Sequence, residues 1–114
     1  MTGELLHYED FHIGDVNTHG PFALSAGLVR EYAREWDPQP FHLDEELARA
    51  SVLGGLCASG WQVCSIMNRM MIEAYAGKAA GLGSFGVQEV KWMKPVYADD
   101  ELTLRYTVLD KRVS

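Results

Sequence analysis

Apolar residues recur at helical spacing between Ser25 and Gly77 and alternate with polar residues from Leu102 onward. Two short extended segments are predicted first, one within residues 8–17 and one at 22–24. A helix is then predicted from Ser25, whose hydroxyl can cap the first turn. Its apolar positions are Leu28, Val29, Tyr32, Ala33 and Trp36. Asp44 is placed to cap a shorter helix that ends near Ala50.

Between these two helices, Pro38 and Pro40 predict a stiff loop over 37–42, because proline lacks an amide donor and restricts the residue before it. A longer helix is predicted to begin after Ser59 and to run to Gly77. Ser59 and Gln62 fit the capping-box pattern, in which each side chain bonds the other residue's backbone amide. One face of this helix is marked by Val63, Met67, Met70, Met71 and Ala74.

The last third of the chain favours strands. A long strand is predicted over 85–96, followed by a turn at 97–100 and an alternating strand from Leu102. Helices followed by antiparallel strands predict an α+β fold in a single domain over 1–114. Because a two-stranded sheet is rarely stable alone, we expect that the chain either lacks C-terminal strands or relies on a partner subunit.

Composition and charge narrow the classes of function. The 114 residues are 47% hydrophobic, which argues against general disorder, and the net charge of −6 argues against nucleic-acid binding. No window is apolar for long enough to predict a membrane span. The acidic N-terminus does not resemble a signal peptide, and Cys57 and Cys64 are expected to be free thiols, so we expect a cytoplasmic protein.

Asp37 and His42 are the strongest candidates for chemistry, because the proline-stiffened loop can hold them in a fixed geometry. A carboxylate and an imidazole a few ångströms apart could together activate one water. The structural alternative is that Asp37 ends a helix and His42 fills a turn.

Ser59 and Gly60 form a second candidate site at the start of the long helix. Unpaired first-turn amides there suit a developing oxyanion, and Gly60 lets a substrate approach the backbone closely. The structural alternative is an ordinary capped helix. No metal or cofactor site is predicted, since no histidine follows His42 to complete a metal-binding set.

The runs 36–44 and 53–60 together resemble the MaoC-like dehydratase family, which includes the R-specific enoyl-CoA hydratases of hotdog fold. The family's signature is an aspartate, any residue, asparagine, proline, any residue and histidine, and further along a glycine that opens the central helix. The positions that match it in type and spacing are Asp37, Pro40, His42 and Gly60.

The resemblance implies a hotdog fold, in which an antiparallel sheet wraps around a long central helix, and a homodimer or higher homo-oligomer. It implies that Asp37 and His42 are the catalytic pair, and that the Gly60 amide, with Ser59 beside it, binds the substrate's oxyanion. The implied reaction is hydration of 2-enoyl-CoA thioesters, or dehydration of 3-hydroxyacyl-CoA thioesters, without cofactor or metal. The acyl group could equally be carried by an acyl-carrier protein.

Three positions depart from the family pattern. Gln39 replaces asparagine, Ser59 replaces a common histidine, and Trp36 replaces a common glycine and is expected to narrow the pocket. Two other functions stay open. One is thioester hydrolysis, which also uses a carboxylate and water, and the other is a non-catalytic subunit that binds acyl groups.

Overall fold

The first and last strands of the described chain pair with each other, and the helices lie between them in sequence. The computed structural model describes residues 6–76 and 86–111. In chain order its elements are a 3-10 turn at Tyr8–Asp10, β1 at Val16–Ala23, α1 at Ala26–Trp36, α2 at Pro40–Leu43, α3 at Glu45–Ala50, α4 at Gly60–Met71, a π-helical turn at Ile72–Ala76 and β2 at Glu101–Thr107. The two strands are antiparallel, which confirms the predicted α+β class.

β1 agrees only in part with the two predicted extended segments. The segment predicted within 8–17 forms a 3-10 turn at Tyr8–Asp10 and becomes strand only at Val16, and β1 then continues through residues 18–21, which are not predicted as strand. A shift in register between His19 and Phe22 interrupts its pairing with β2. Gly20, within the irregular stretch, has a φ of 140°, and a Cβ on it would lie 2.9 Å from the Leu102 carbonyl oxygen. The irregular stretch therefore requires glycine.

Both short-range helix predictions are confirmed at their caps. The Ser25 hydroxyl accepts a hydrogen bond from the Leu28 amide (3.2 Å) at the start of α1. The Asp44 carboxylate accepts hydrogen bonds from the amides of Glu46 and Leu47 (2.9 and 3.0 Å) at the start of α3. Each cap uses only groups within three residues, so the local sequence is sufficient to specify it.

The predicted loop over 37–42 is wrong from Pro40 onward, because Pro40 begins the single helical turn α2. The Asp44 amide closes this turn by donating to the Pro40 carbonyl (2.8 Å). Proline is tolerated at the first position of a helix because the amide that it lacks would have no intrahelical partner there.

The capping box predicted at Ser59 is also wrong. Ser59 precedes α4, but its side chain makes no capping hydrogen bond. The Gln62 side chain instead donates from Nε2 to the Leu28 carbonyl of α1 (2.9 Å). The buried face of α4 contains Gln62 together with Ile66 and Met70. Met67, which the sequence places on the apolar face, is 39% exposed. The predicted end at Gly77 lies outside the described residues.

The long strand predicted over 85–96 is not formed within the described residues 86–96. At the C-terminal end of this segment, the Ala58 amide donates to the Val96 carbonyl (2.7 Å), and Cys57 forms an isolated β-bridge with the following residue, Tyr97. Residues that favour a strand form one only where a neighbouring strand completes their hydrogen bonds. Phe85 lies outside the described residues.

The core lies between α4, the sheet and the loop before α4. Its buried members are Leu24, Val29, Ala48, Leu56, Ala58, Ile66, Met70 and Leu104. The loop is held against the turn at 97–100 by hydrogen bonds from the Ala98 amide to Leu56 and from the Tyr97 hydroxyl to Leu53 (2.9 and 2.6 Å). These contacts fix the segment that precedes α4. Across the described part of the chain, no helix has the length and apolar character needed to span a membrane.

Candidate active site

Asp37 directly follows α1 and His42 lies within α2, and their side chains are close together. His42 is buried, at 6% exposed, and its Nε2 lies 3.4 Å from Oδ2 of Asp37. This separation is longer than the roughly 2.7–3.2 Å of a direct hydrogen bond. Two polar groups at such a separation are able to contact one water molecule simultaneously.

The other ring nitrogen of His42 determines which tautomer is present. Nδ1 lies 2.6 Å from the carbonyl oxygen of Cys57. A carbonyl oxygen can only accept, so Nδ1 carries the proton. In the neutral imidazole, Nε2 therefore has a free lone pair that faces Asp37. This arrangement leaves Nε2 able to accept a proton in the space next to the carboxylate.

The Asp37 carboxylate is held in its ionised form. Its Oδ1 accepts a hydrogen bond from Nε2 of Gln39 (2.6 Å), which leaves Oδ2 directed towards His42. The pKa of Asp37 lies below its ordinary value of 3.8, with the Ser59 hydroxyl as the largest cause, followed by the Gln39 amide, while burial opposes the shift and His42 adds to it.

The Ser59 hydroxyl is fully buried. It makes no hydrogen bond of good geometry within the described residues. Its effect on the pKa of Asp37 is therefore that of a nearby dipole rather than of a well-formed hydrogen bond. Because Ser59 immediately precedes α4, this contact connects the carboxylate to the start of that helix.

Gly60 is the first residue of α4. Its N–H precedes the first intrahelical hydrogen bond, which the Val63 amide donates to the Ser59 carbonyl (3.1 Å). An amide at this position is directed out of the helix and carries part of the positive end of the helix dipole. Such a donor suits an oxygen that gains negative charge during a reaction.

The predicted site residues Asp37, His42 and Gly60 all line one cavity of about 400 Å³, and Ser59 is buried beside it. The walls are mostly apolar, and the other lining residues are Gln39, Phe41, Leu53, Cys57, Ala58, Trp61, Val63, Trp92, Met93, Lys94, Pro95 and Val96. Within residues 6–76 and 86–111, no group of three or more His, Cys, Asp or Glu side chains is arranged to hold a metal ion. The cavity thus combines a carboxylate–imidazole pair, an amide donor and an apolar surface.

The tryptophan that lines the cavity is not the one that the sequence suggests. Trp36 was expected to narrow the pocket, but it is 71% exposed and does not line the cavity. Trp92 lines the cavity instead, and its indole lies against Gly60. Nothing in the local pattern indicates this contact, because 32 residues separate the two positions. Gln39 replaces the family's asparagine and bonds the Asp37 carboxylate through its longer side chain.

Comparison with known proteins identifies relatives over nearly the whole chain. A family model described as MaoC like domain matches residues 12–114. The uncharacterised protein YdeM of Bacillus subtilis is 35% identical over 105 residues, which cover 91% of this chain and 74% of that protein.

Solved structures of similar fold include two enzymes. The MaoC-like dehydratase from Rhodospirillum rubrum is 40% identical with a TM-score of 0.82, and the match covers 95% of this chain and 72% of that one. R-hydratase PhaJ1 from Pseudomonas aeruginosa is 20% identical with a TM-score of 0.73, and the match covers 92% of this chain and 66% of that one. The similarity to PhaJ1 shows a shared fold alone.

Proposed function

The chain belongs to the MaoC-like domain family, and from this premise we propose that it hydrates 2-enoyl thioesters and dehydrates 3-hydroxyacyl thioesters without a cofactor. The observation that supports the proposal most is the placement of Asp37 and His42 3.4 Å apart in the same apolar cavity as the first amide of α4. This placement combines water activation with stabilisation of a thioester oxygen.

In the proposed reaction, one water is held between Oδ2 of Asp37 and Nε2 of His42. Nε2 accepts a proton as the water oxygen bonds to C3 of the enoyl group, and the carboxylate stabilises the imidazolium that forms. The electrons of the double bond move towards the thioester oxygen, which the Gly60 amide stabilises. The proton on Nε2 then passes to C2, so that one water is added and the histidine returns to its neutral form.

The substrate's carrier and the assembly state are also part of the proposal. We propose an acyl-CoA or acyl-carrier-protein thioester as the substrate and a homodimer as the active form. Exposed apolar side chains at Val87 and Met93 support an assembly that covers this segment. A cytoplasmic location stays a prediction, supported by the free thiols of Cys57 and Cys64.

The test follows the loss of conjugated enoyl-thioester absorbance with crotonyl-CoA and longer 2-enoyl-CoAs. We expect Asp37→Asn and His42→Gln each to lower kcat by about 10²- to 10⁴-fold, as is usual when a general acid or base is removed. Asp110→Asn and His12→Gln are matched controls, because both side chains are exposed and neither lines the cavity. Both controls should retain wild-type rates.

Two results would contradict the proposal. Release of free thiol from the enoyl-CoA, measured with a thiol reagent, would show thioester hydrolysis instead of hydration. Hydration that persists unchanged in both Asp37→Asn and His42→Gln would show that another group activates the water.

A further inference from the structure

The indole of Trp92 lies directly over the first turn of α4. Its Nε1 donates a hydrogen bond to the Gly60 carbonyl (2.9 Å), and its ring stands edge-on to the ring of Trp61, with the centroids 4.9 Å apart. A Cβ on Gly60 would lie only 2.7 Å from two atoms of the indole. Gly60 therefore provides the space that this tryptophan occupies.

These contacts hold a large side chain at a defined place in the cavity wall. An indole has only two side-chain torsions, and a polar contact to Gly60 and a ring contact to Trp61 restrain them. The ring is nevertheless 50% exposed, so the core does not enclose it. An aromatic side chain that is pinned to a helix terminus and lines the cavity of Asp37 and His42 is placed to determine which ligands enter.

We propose that Trp92 is a specificity-determining residue that limits the length of the acyl group bound beside Asp37 and His42. The proposal rests on the function proposed above. The indole forms the part of the cavity wall at the first turn of α4, so we expect it to leave room for short 2-enoyl groups and to obstruct longer ones. One methylene more or less in a closed apolar pocket changes kcat/KM by about 10- to 200-fold. Removing the indole therefore shifts the preference towards longer chains.

The experiment compares kcat/KM for C4, C8 and C12 2-enoyl-CoAs in the wild type and in Trp92→Ala. We expect the C12-to-C4 ratio of kcat/KM to rise at least about tenfold in Trp92→Ala. Trp92→Leu, which keeps an apolar side chain of intermediate size, should raise the ratio less, and it carries the test if the alanine variant does not fold. Trp36→Ala is the matched control, since this tryptophan is 71% exposed and lies outside the cavity wall.

A second measurement separates this inference from the proposed reaction. Calorimetric titration with the saturated butyryl-, octanoyl- and dodecanoyl-CoAs reports binding without catalysis. The dodecanoyl-to-butyryl ratio of affinities should also rise about tenfold in Trp92→Ala. If the wild type binds these ligands but hydrates no enoyl-CoA, the proposed function is wrong. The dodecanoyl-to-butyryl ratio of affinities still shows whether Trp92 limits the length of the bound acyl group.

The inference about Trp92 is overturned by either of two outcomes. In the first, Trp92→Ala changes the affinities for all three acyl-CoAs by the same factor. That result would mean that the indole contacts the carrier part of the ligand and not the acyl group. Failure of the wild type to bind any of the three acyl-CoAs overturns both the inference and the proposed function.

Discussion

The contact between Gly60 and Trp92 makes a prediction about stability that does not depend on the reaction. Gly60 does not have a positive φ, so alanine can adopt its backbone conformation. Gly60→Ala would normally be neutral or favourable at a helix start, because glycine is about 1 kcal/mol less favourable than alanine within a helix. Here the added methyl group would lie 2.7 Å from Cε2 and Nε1 of the indole, which is too close for either side chain.

The size of the effect follows from what the indole loses when it moves. Displacement breaks its hydrogen bond to the Gly60 carbonyl, worth about 1 kcal/mol. It also breaks the edge-on contact with Trp61, worth about another 1 kcal/mol. Keeping the ring in place instead costs about 1–3 kcal/mol of overpacking. Whether the ring moves or stays, the cost in free energy of unfolding is about 2 kcal/mol. After the gain in helix propensity is subtracted, Gly60→Ala should destabilise the protein by about 1–2 kcal/mol.

The assay is a double-mutant cycle of Gly60→Ala and Trp92→Ala, measured by urea unfolding and followed by far-UV circular dichroism. In the Trp92→Ala background the collision is absent, so Gly60→Ala should be neutral or stabilising by up to about 1 kcal/mol. The coupling free energy between the two positions is then about 2 kcal/mol. Equal effects of Gly60→Ala in both backgrounds would refute the packing of the indole on Gly60 and, with it, the reasoning about the cavity wall.

Two further predictions concern the Asp37 carboxylate. Ser59→Ala should raise the pKa of Asp37 towards 3.8, because the Ser59 hydroxyl is the largest cause of the lowered pKa. An NMR titration that follows the carboxyl carbon of Asp37 measures this shift. An unchanged pKa would assign the effect to Gln39 instead. Since the folded-state pKa lies below the unfolded one, the ionised carboxylate stabilises the fold above about pH 3.9 and loses this effect as pH falls through the folded-state pKa. The free energy of unfolding of the wild type, measured by urea titration, should therefore fall more than that of Asp37→Asn when the pH is lowered through this range. An equal fall in both proteins would contradict the lowered pKa of Asp37.

The parts of the fold that the sequence predicts well are those built from neighbouring residues. The caps at Ser25 and Asp44 and the turn at 97–100 each close hydrogen bonds within three residues, so residue type and spacing suffice to identify them. The candidate pair is similar, because Asp37 and His42 are five positions apart on a short connection that contains two prolines. Their closeness could be expected before any coordinates were known.

The predictions that were wrong depended on groups remote in sequence. Ser59 and Gln62 match a capping box, but Gln62 bonds the Leu28 carbonyl of α1 and Ser59 lies next to Asp37. The residue types of 86–96 favour a strand, but a strand needs a neighbour to complete its hydrogen bonds. In both cases a local pattern competes with tertiary contacts that the pattern does not contain.

The amino-acid sequence by itself determined the family, the α+β class and the residue types of the candidate site, because short motifs and local periodicity carry that information. Only the tertiary structure decided how those residues can act. The Cys57 carbonyl sets the tautomer of His42, and the indole of Trp92 lies against Gly60, across 15 and 32 positions of sequence. Such contacts arise when the core brings distant segments together, and no spacing rule along the chain specifies them.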